Sequence, residues 1–119
     1  MELETLKDLV VKTLDDMKGQ DIKTIDVRGK SSITDMMVIV TGNSNRHVKS
    51  LADSVELAVK AAGMQPLGIE GDNQSDWVLL DLNEIILHSL YNIFFNETKV
   101  ASIRNTSFLH SKSSSGYEY

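Results

Sequence analysis

The chain has 119 residues, no cysteine and a formal net charge of −5, from 17 acidic and 12 basic residues. The length suits one domain, and the missing cysteine excludes disulfides, thiolate metal sites and a cysteine nucleophile. The acidic balance argues against a nucleic-acid partner, because phosphate binders carry a basic footprint; a basic protein, whose approach a negative surface accelerates, is the better candidate, although in an isolated acidic domain such a charge more often serves solubility alone.

Leu3, Leu6, Val10, Leu14 and Met17 fall at spacings of three and four, which predicts an amphipathic helix over 3–18 stopped by Gly19. Residues 1–14 hold Glu2, Glu4, Lys7, Asp8 and Lys12 and lack the apolar centre of a secretory signal, so the chain is read as cytoplasmic. A strand is predicted over 22–27, with Ile25 and Val27 on one face, before the polar loop Arg28–Ser32. Residues 34–41 predict a second strand. Its centre, Met36–Val40, is apolar without alternation, as in a strand covered on both faces; this longest apolar run is far too short to cross a membrane.

Gly42, Asn43, Ser44 and Asn45 break that strand and supply capping side chains. A second helix is predicted over 44–62, with Val48, Leu51, Val55, Ala58, Val59 and Ala62 on its buried stripe and Gly63 as its stop. Strands on either side of it suggest a β-α-β crossover. Residues 65–70 predict a short strand that Pro66 places at its beginning or at a sheet edge. After a turn at 71–75, residues 77–82 and 84–88 predict two strands joined tightly at Leu82-Asn83, where Asn tolerates a left-handed backbone. Residues 90–95 are apolar enough to dock. The remaining 96–119 are rich in Ser, Asn, Thr and Lys and read as a disordered tail behind a domain of residues 1–95. The fold class is α/β.

Catalytic constellations are absent from the sequence. His47, His88 and His110 form none of the spacings that zinc ligands adopt. Thr41-Gly42-Asn43-Ser44 joins a strand to a helix but matches neither nucleotide-binding glycine pattern, so it reads first as a capping loop. No nucleophile elbow occurs, and no cofactor is expected. Recognition is better supported. The segment Glu70–Asp81 combines acids, turn residues and the single tryptophan, Trp77, a mixture that suits an acidic rim around an aromatic anchor. Trp77 pointing into the core is the equal alternative. His47, beside Arg46, reads first as a surface residue of the capping region and second as an interface donor.

In chain order stand Asp21-Ile22, then Gly29-Lys30-Ser31-Ser32-Ile33-Thr34-Asp35, Thr41-Gly42 with Ser44, Arg46-His47-Val48 and Ala52-Asp53. Gly63, Pro66-Leu67-Gly68, Glu70-Gly71, Asp76-Trp77-Val78, Asp81 and His88 complete the series. This ordered series, over about residues 3–88, resembles the ribosomal silencing factor (Iojap-like) family. The resemblance implies a compact α/β domain with a mixed sheet, similar to nucleotidyltransferase domains in an α-β-β-α-β-β-β order, and no enzymatic activity. It implies binding to the large ribosomal subunit through ribosomal protein fourteen of that subunit. Joining of the small subunit would then be blocked sterically and translation repressed when nutrients are scarce. It implies no cofactor, no DNA and no membrane partner, in a monomer or weak homodimer. On this reading Trp77 is the anchor and Glu70, Asp76 and Asp81 meet Lys or Arg of the partner, while Arg46 and His47 match a family motif. The segment after His88 departs from the family's acidic and aromatic continuation, which would expose Ile93, Phe94 and Phe95. Two other functions compete. A nucleotidyltransferase-like enzyme would need paired carboxylates soon after Gly42-Asn43-Ser44, yet the next acid is Asp53; a generic assembly adaptor needs only an uncovered sheet edge.

Overall fold

A computed structural model describes residues 1–91 of the chain. The elements run α1 (Leu3–Asp16), β1 (Gln20–Asp26), β2 (Met36–Gly42), α2 (Asn45–Ala61), β3 (Gly68–Glu70), β4 (Trp77–Asp81) and β5 (Ile85–Tyr91). This is the expected α-β-β-α-β-β-β order. The disordered tail and the docking of 92–95 concern residues outside those described. Strand β5 continues three residues past the expected end at His88, to Tyr91.

Helix α1 ends two residues earlier than its apolar spacing suggests. Lys18, not Gly19, takes the left-handed conformation, at φ 66°. The Gly19 amide then donates to the Leu14 carbonyl at 2.8 Å and the Lys18 amide to that of Asp15 at 3.0 Å, which closes the helix with paired reverse bonds. Gly19 is required for another reason: a Cβ there would lie 2.6 Å from Val40 Cγ2. At the end of α2 the expected glycine does take the left-handed position, with Gly63 at φ 88° and the Met64 amide donating to Val59 at 2.9 Å. Ser44 caps the start of α2, its hydroxyl accepting from the His47 amide at 3.0 Å.

The five strands lie in the order β1-β2-β5-β4-β3. Strands β2 and β5 are parallel and every other neighbouring pair is antiparallel, so the sheet is mixed. The β2-α2-β3 crossover exists, but β5 and β4 are inserted between its two strands. Strand β3 is an edge strand, as Pro66 suggests, and it begins two residues after that proline, at Gly68. The β4–β5 turn is closed by the Leu82 amide on the Ile85 carbonyl at 2.8 Å, with Asn83 left-handed at φ 73°.

Both described helices pack on one face of the sheet. There Leu6, Val10 and Leu14 of α1 and Leu51, Val55 and Val59 of α2 meet Met36, Val38, Val40, Leu80, Ile85 and Leu87, each shielded from water. Burial of each Leu, Ile or Val side chain contributes roughly 1.5–3 kcal/mol before conformational entropy is charged against it. Met37, Ile39 and Leu90 form a second buried cluster with Val27 on the opposite face. Every residue of β2 is buried, as expected of a strand apolar on both faces.

Candidate interaction site

Register and pleat place the candidate residues on the second face. Lys23, Ile39, His88, Leu79 and Glu70 form one cross-strand row, because Lys23 opposes Ile39, Ile39 opposes His88, His88 opposes Leu79 and Leu79 opposes Glu70. Trp77, two residues before Leu79, shares its face and opposes Leu90. At the β3 edge of this face, Glu70, Gly71, Trp77 and Leu79 line an open cleft of about 220 Å³. A larger groove of about 600 Å³ lies between α1 and β1. Its lysines are already engaged, Lys7 with Glu4 and Asp8 and Lys12 with Asp16, and it has no aromatic side chain. The smaller cleft is the one whose chemistry is specific.

Trp77 is half-buried, between the core and surface alternatives. Its indole Nε1–H donates to Nδ1 of His88 at 3.0 Å, with the ring centroids 5.7 Å apart and the planes inclined at 46°. His88 is wholly buried in the central row. Burial in the sheet pushes its pKa down to about 3, so the imidazole is neutral and offers Nδ1 as an acceptor. A buried indole N–H needs an acceptor, and this one fixes the ring.

Glu70 is exposed beside Trp77 in the cleft, where a carboxylate and an aromatic ring can receive one cationic side chain. Gly71 permits the turn out of β3, with φ 111° and a notional Cβ only 2.8 Å from Val78. Asp76 is exposed one residue before the cleft, and Asn45 at the start of α2 donates its amide to Asp76 Oδ1. The Asp76 carbonyl accepts from the Tyr91 amide at 2.8 Å, so this acid is held at the end of the sheet where α2 begins. Arg46 is exposed in the first turn of the same helix.

Two candidates sit differently from the expectation. Asp81 is only 2% exposed. Its carboxylate accepts the Asn83 amide at 2.6 Å and closes the β4–β5 turn, and burial raises its pKa. It shares the face of Trp77, but opposes Gly68 and Ile86, one row beyond Leu79 and away from the cleft. An acid in that position does not form a rim. His47 uses both ring nitrogens inside the fold: Nδ1 accepts from the Asn43 amide at 3.0 Å, and Nε2 donates to the Met17 carbonyl at 2.9 Å. Sequence reasoning missed Asn45 and the part that His88 plays. A turn at Leu82-Asn83 would set Trp77 directly opposite His88; the turn instead lies at Asn83-Glu84, with Leu82 opposite Ile85, which sets Leu79 opposite His88 and Trp77 diagonal to it.

Among the described residues no group of three or more His, Asp or Glu is placed to hold a metal ion, and no helix is long and apolar enough to cross a membrane.

Comparison with known proteins assigns the family from sequence, and solved structures share the fold. Residues 1–93 match the model of the family described as ribosomal silencing factor during starvation. A ribosomal silencing factor of Haemophilus influenzae is 48% identical over 83 residues, which cover 70% of this chain and 81% of that protein. One from Chromobacterium violaceum is 39% identical over 88 residues, covering 74% of this chain and 72% of that protein. A crystal structure of a C. violaceum protein superposes with a TM-score of 0.79 at 34% identity, covering 87% of this chain and 86% of that one. A Bacillus halodurans structure, at a TM-score of 0.74 and 24% identity, covers 86% of this chain and 93% of that one and shares the fold. With the family model matched over 93 of its 119 residues, this chain belongs to the ribosomal silencing factor family.

Proposed function

We propose that this chain binds the large ribosomal subunit, through ribosomal protein fourteen of that subunit, and blocks joining of the small subunit by occupying its docking face. Translation is thereby repressed under nutrient limitation, in the cytoplasm, without catalysis. The observation that carries the reading is the cleft at the β3 edge, where Trp77 and the exposed Glu70 carboxylate stand together on a chain of net charge −5. A lysine or arginine side chain fits that chemistry. Its alkyl stem packs on Trp77 and Leu79, and its charge meets Glu70 and the indole face. Asp76 and Arg46 extend the surface around the start of α2. Asp81 and His47 serve it indirectly, by holding the turn and the helix.

Sedimentation of purified large subunits with wild-type protein and with Trp77→Ala tests this. The wild type should travel with large subunits and suppress their pairing with small ones. Trp77→Ala should lose about 2 kcal/mol of binding or more, as truncation of an interface hot spot does. Subunit pairing that continues at saturating protein would sink the proposal.

A further inference from the structure

We infer that His88 is a positioning residue for partner binding: it holds the Trp77 indole in the orientation that forms the cleft with Glu70. The inference rests on the reading of that cleft as the partner site and goes beyond it, because His88 itself does not line the cleft.

Three observations carry it. His88 stands in the middle strand of the sheet, on the face that bears Trp77, with Ile39 and Leu79 as its cross-strand neighbours. A wholly buried imidazole among aliphatic side chains is costly without hydrogen bonds, and one that it makes runs to the indole of Trp77, 11 residues earlier in the chain. Trp77 is only half-buried and lies at the end of β4, where a side chain without such a tether samples several rotamers. The indole has one N–H, and an acceptor fixed on the rigid strand β5 turns its N–H edge toward the sheet centre. The neutral state of His88 keeps Nδ1 available as that acceptor. An anchor ordered before the partner arrives loses less freedom on binding, and freezing one large side chain at association weakens affinity by roughly 3- to 10-fold.

The test compares wild type, His88→Phe and His88→Asn. Phe keeps a ring of similar shape but has no acceptor. Asn offers its side-chain oxygen near the position of Nδ1. Trp77 is the single tryptophan, so its indole N–H gives one assignable nuclear magnetic resonance signal and its fluorescence reports one site. Thermal unfolding confirms that each variant is folded, and isolated large ribosomal subunits are the binding probe. In His88→Phe the indole N–H signal should shift upfield and exchange faster with solvent, and binding should weaken by roughly 3- to 10-fold. His88→Asn should restore both readouts. An indole signal unchanged in His88→Phe overturns the inference, as does a changed signal with undiminished binding. If His88→Phe does not fold, Trp77→Phe takes its place: it keeps an aromatic anchor without the donor, and full binding strength in that variant overturns the inference as well. Wild-type protein that fails to bind subunits sinks the ribosomal reading, whereas these outcomes, with wild type bound, sink only the role of His88.

Discussion

The Nε2–H of His47 reaches the carbonyl oxygen of Met17 at 2.9 Å and so ties the first turn of α2 to the residue that ends α1. The other ring nitrogen accepts from Asn43, and the His47 amide is itself bonded to the Ser44 cap. One side chain thus joins the start of α2 and the C-cap of α1 to the loop that follows β2. His47→Ala should lower stability by about 1–2 kcal/mol, the net worth of two such bonds. Urea denaturation measures this. Binding to large subunits, counted per folded molecule, should change little; a large loss of binding with stability intact would instead place His47 in contact with the partner.

Acid should weaken the fold through His88. Its pKa is about 3 in the folded protein against 6.5 for a free side chain, so the unfolded chain takes up a proton that the native state refuses. The stability it contributes is present above pH 6.5 and is lost as pH falls toward 3. The loss over that window should reach a few kcal/mol. Asp26 acts in the same direction lower down, since the Arg28 side chain holds its pKa at about 2. Unfolding free energies at a series of pH values should show the slope, and His88→Asn should flatten it between about pH 6 and pH 4.

Asp81 has the opposite sign. Burial raises its folded pKa above the ordinary value of 3.8, so its contribution is fully present below 3.8 and is lost as pH rises through the folded value. Burial penalises the ionised carboxylate, and the hydrogen bond from the Asn83 amide offsets part of that penalty. Asp81→Asn keeps an oxygen acceptor without the charge and should retain the wild-type stability at pH 7. Asp81→Ala should lose about 1–2 kcal/mol. Equal losses in both variants, measured by thermal melts, would show that the turn hydrogen bond is not what Asp81 supplies.

Thr41 is 1% exposed and its hydroxyl has no hydrogen-bond partner among the described residues. Val is nearly the same shape without the polar atom. Removing a buried group that makes no bond should stabilise the protein by about 1 kcal/mol, in contrast to most core substitutions. Calorimetry of Thr41→Val checks the sign, and a lower melting temperature would point to a partner that the hydroxyl gains in solution.

The order and type of the described elements, the two-sided burial of β2, a capping side chain within 42–45, the stop at Gly63 and the left-handed Asn83 were all legible in the sequence. These follow from periodicity and backbone sterics, which act over a few residues. So did the resemblance over residues 3–88, because an ordered series of short motifs is a property of the chain itself. Only the tertiary structure decided how those pieces meet. It put β5 between β2 and β4, turned Asp81 from a rim acid into a turn acceptor, gave both nitrogens of His47 to the fold, and joined Trp77 to His88. Each of those outcomes depends on which strand lies beside which and in what register. Long-range pairing is fixed by burial of the whole sheet at once, so no local pattern around Asp81 or His47 reveals it.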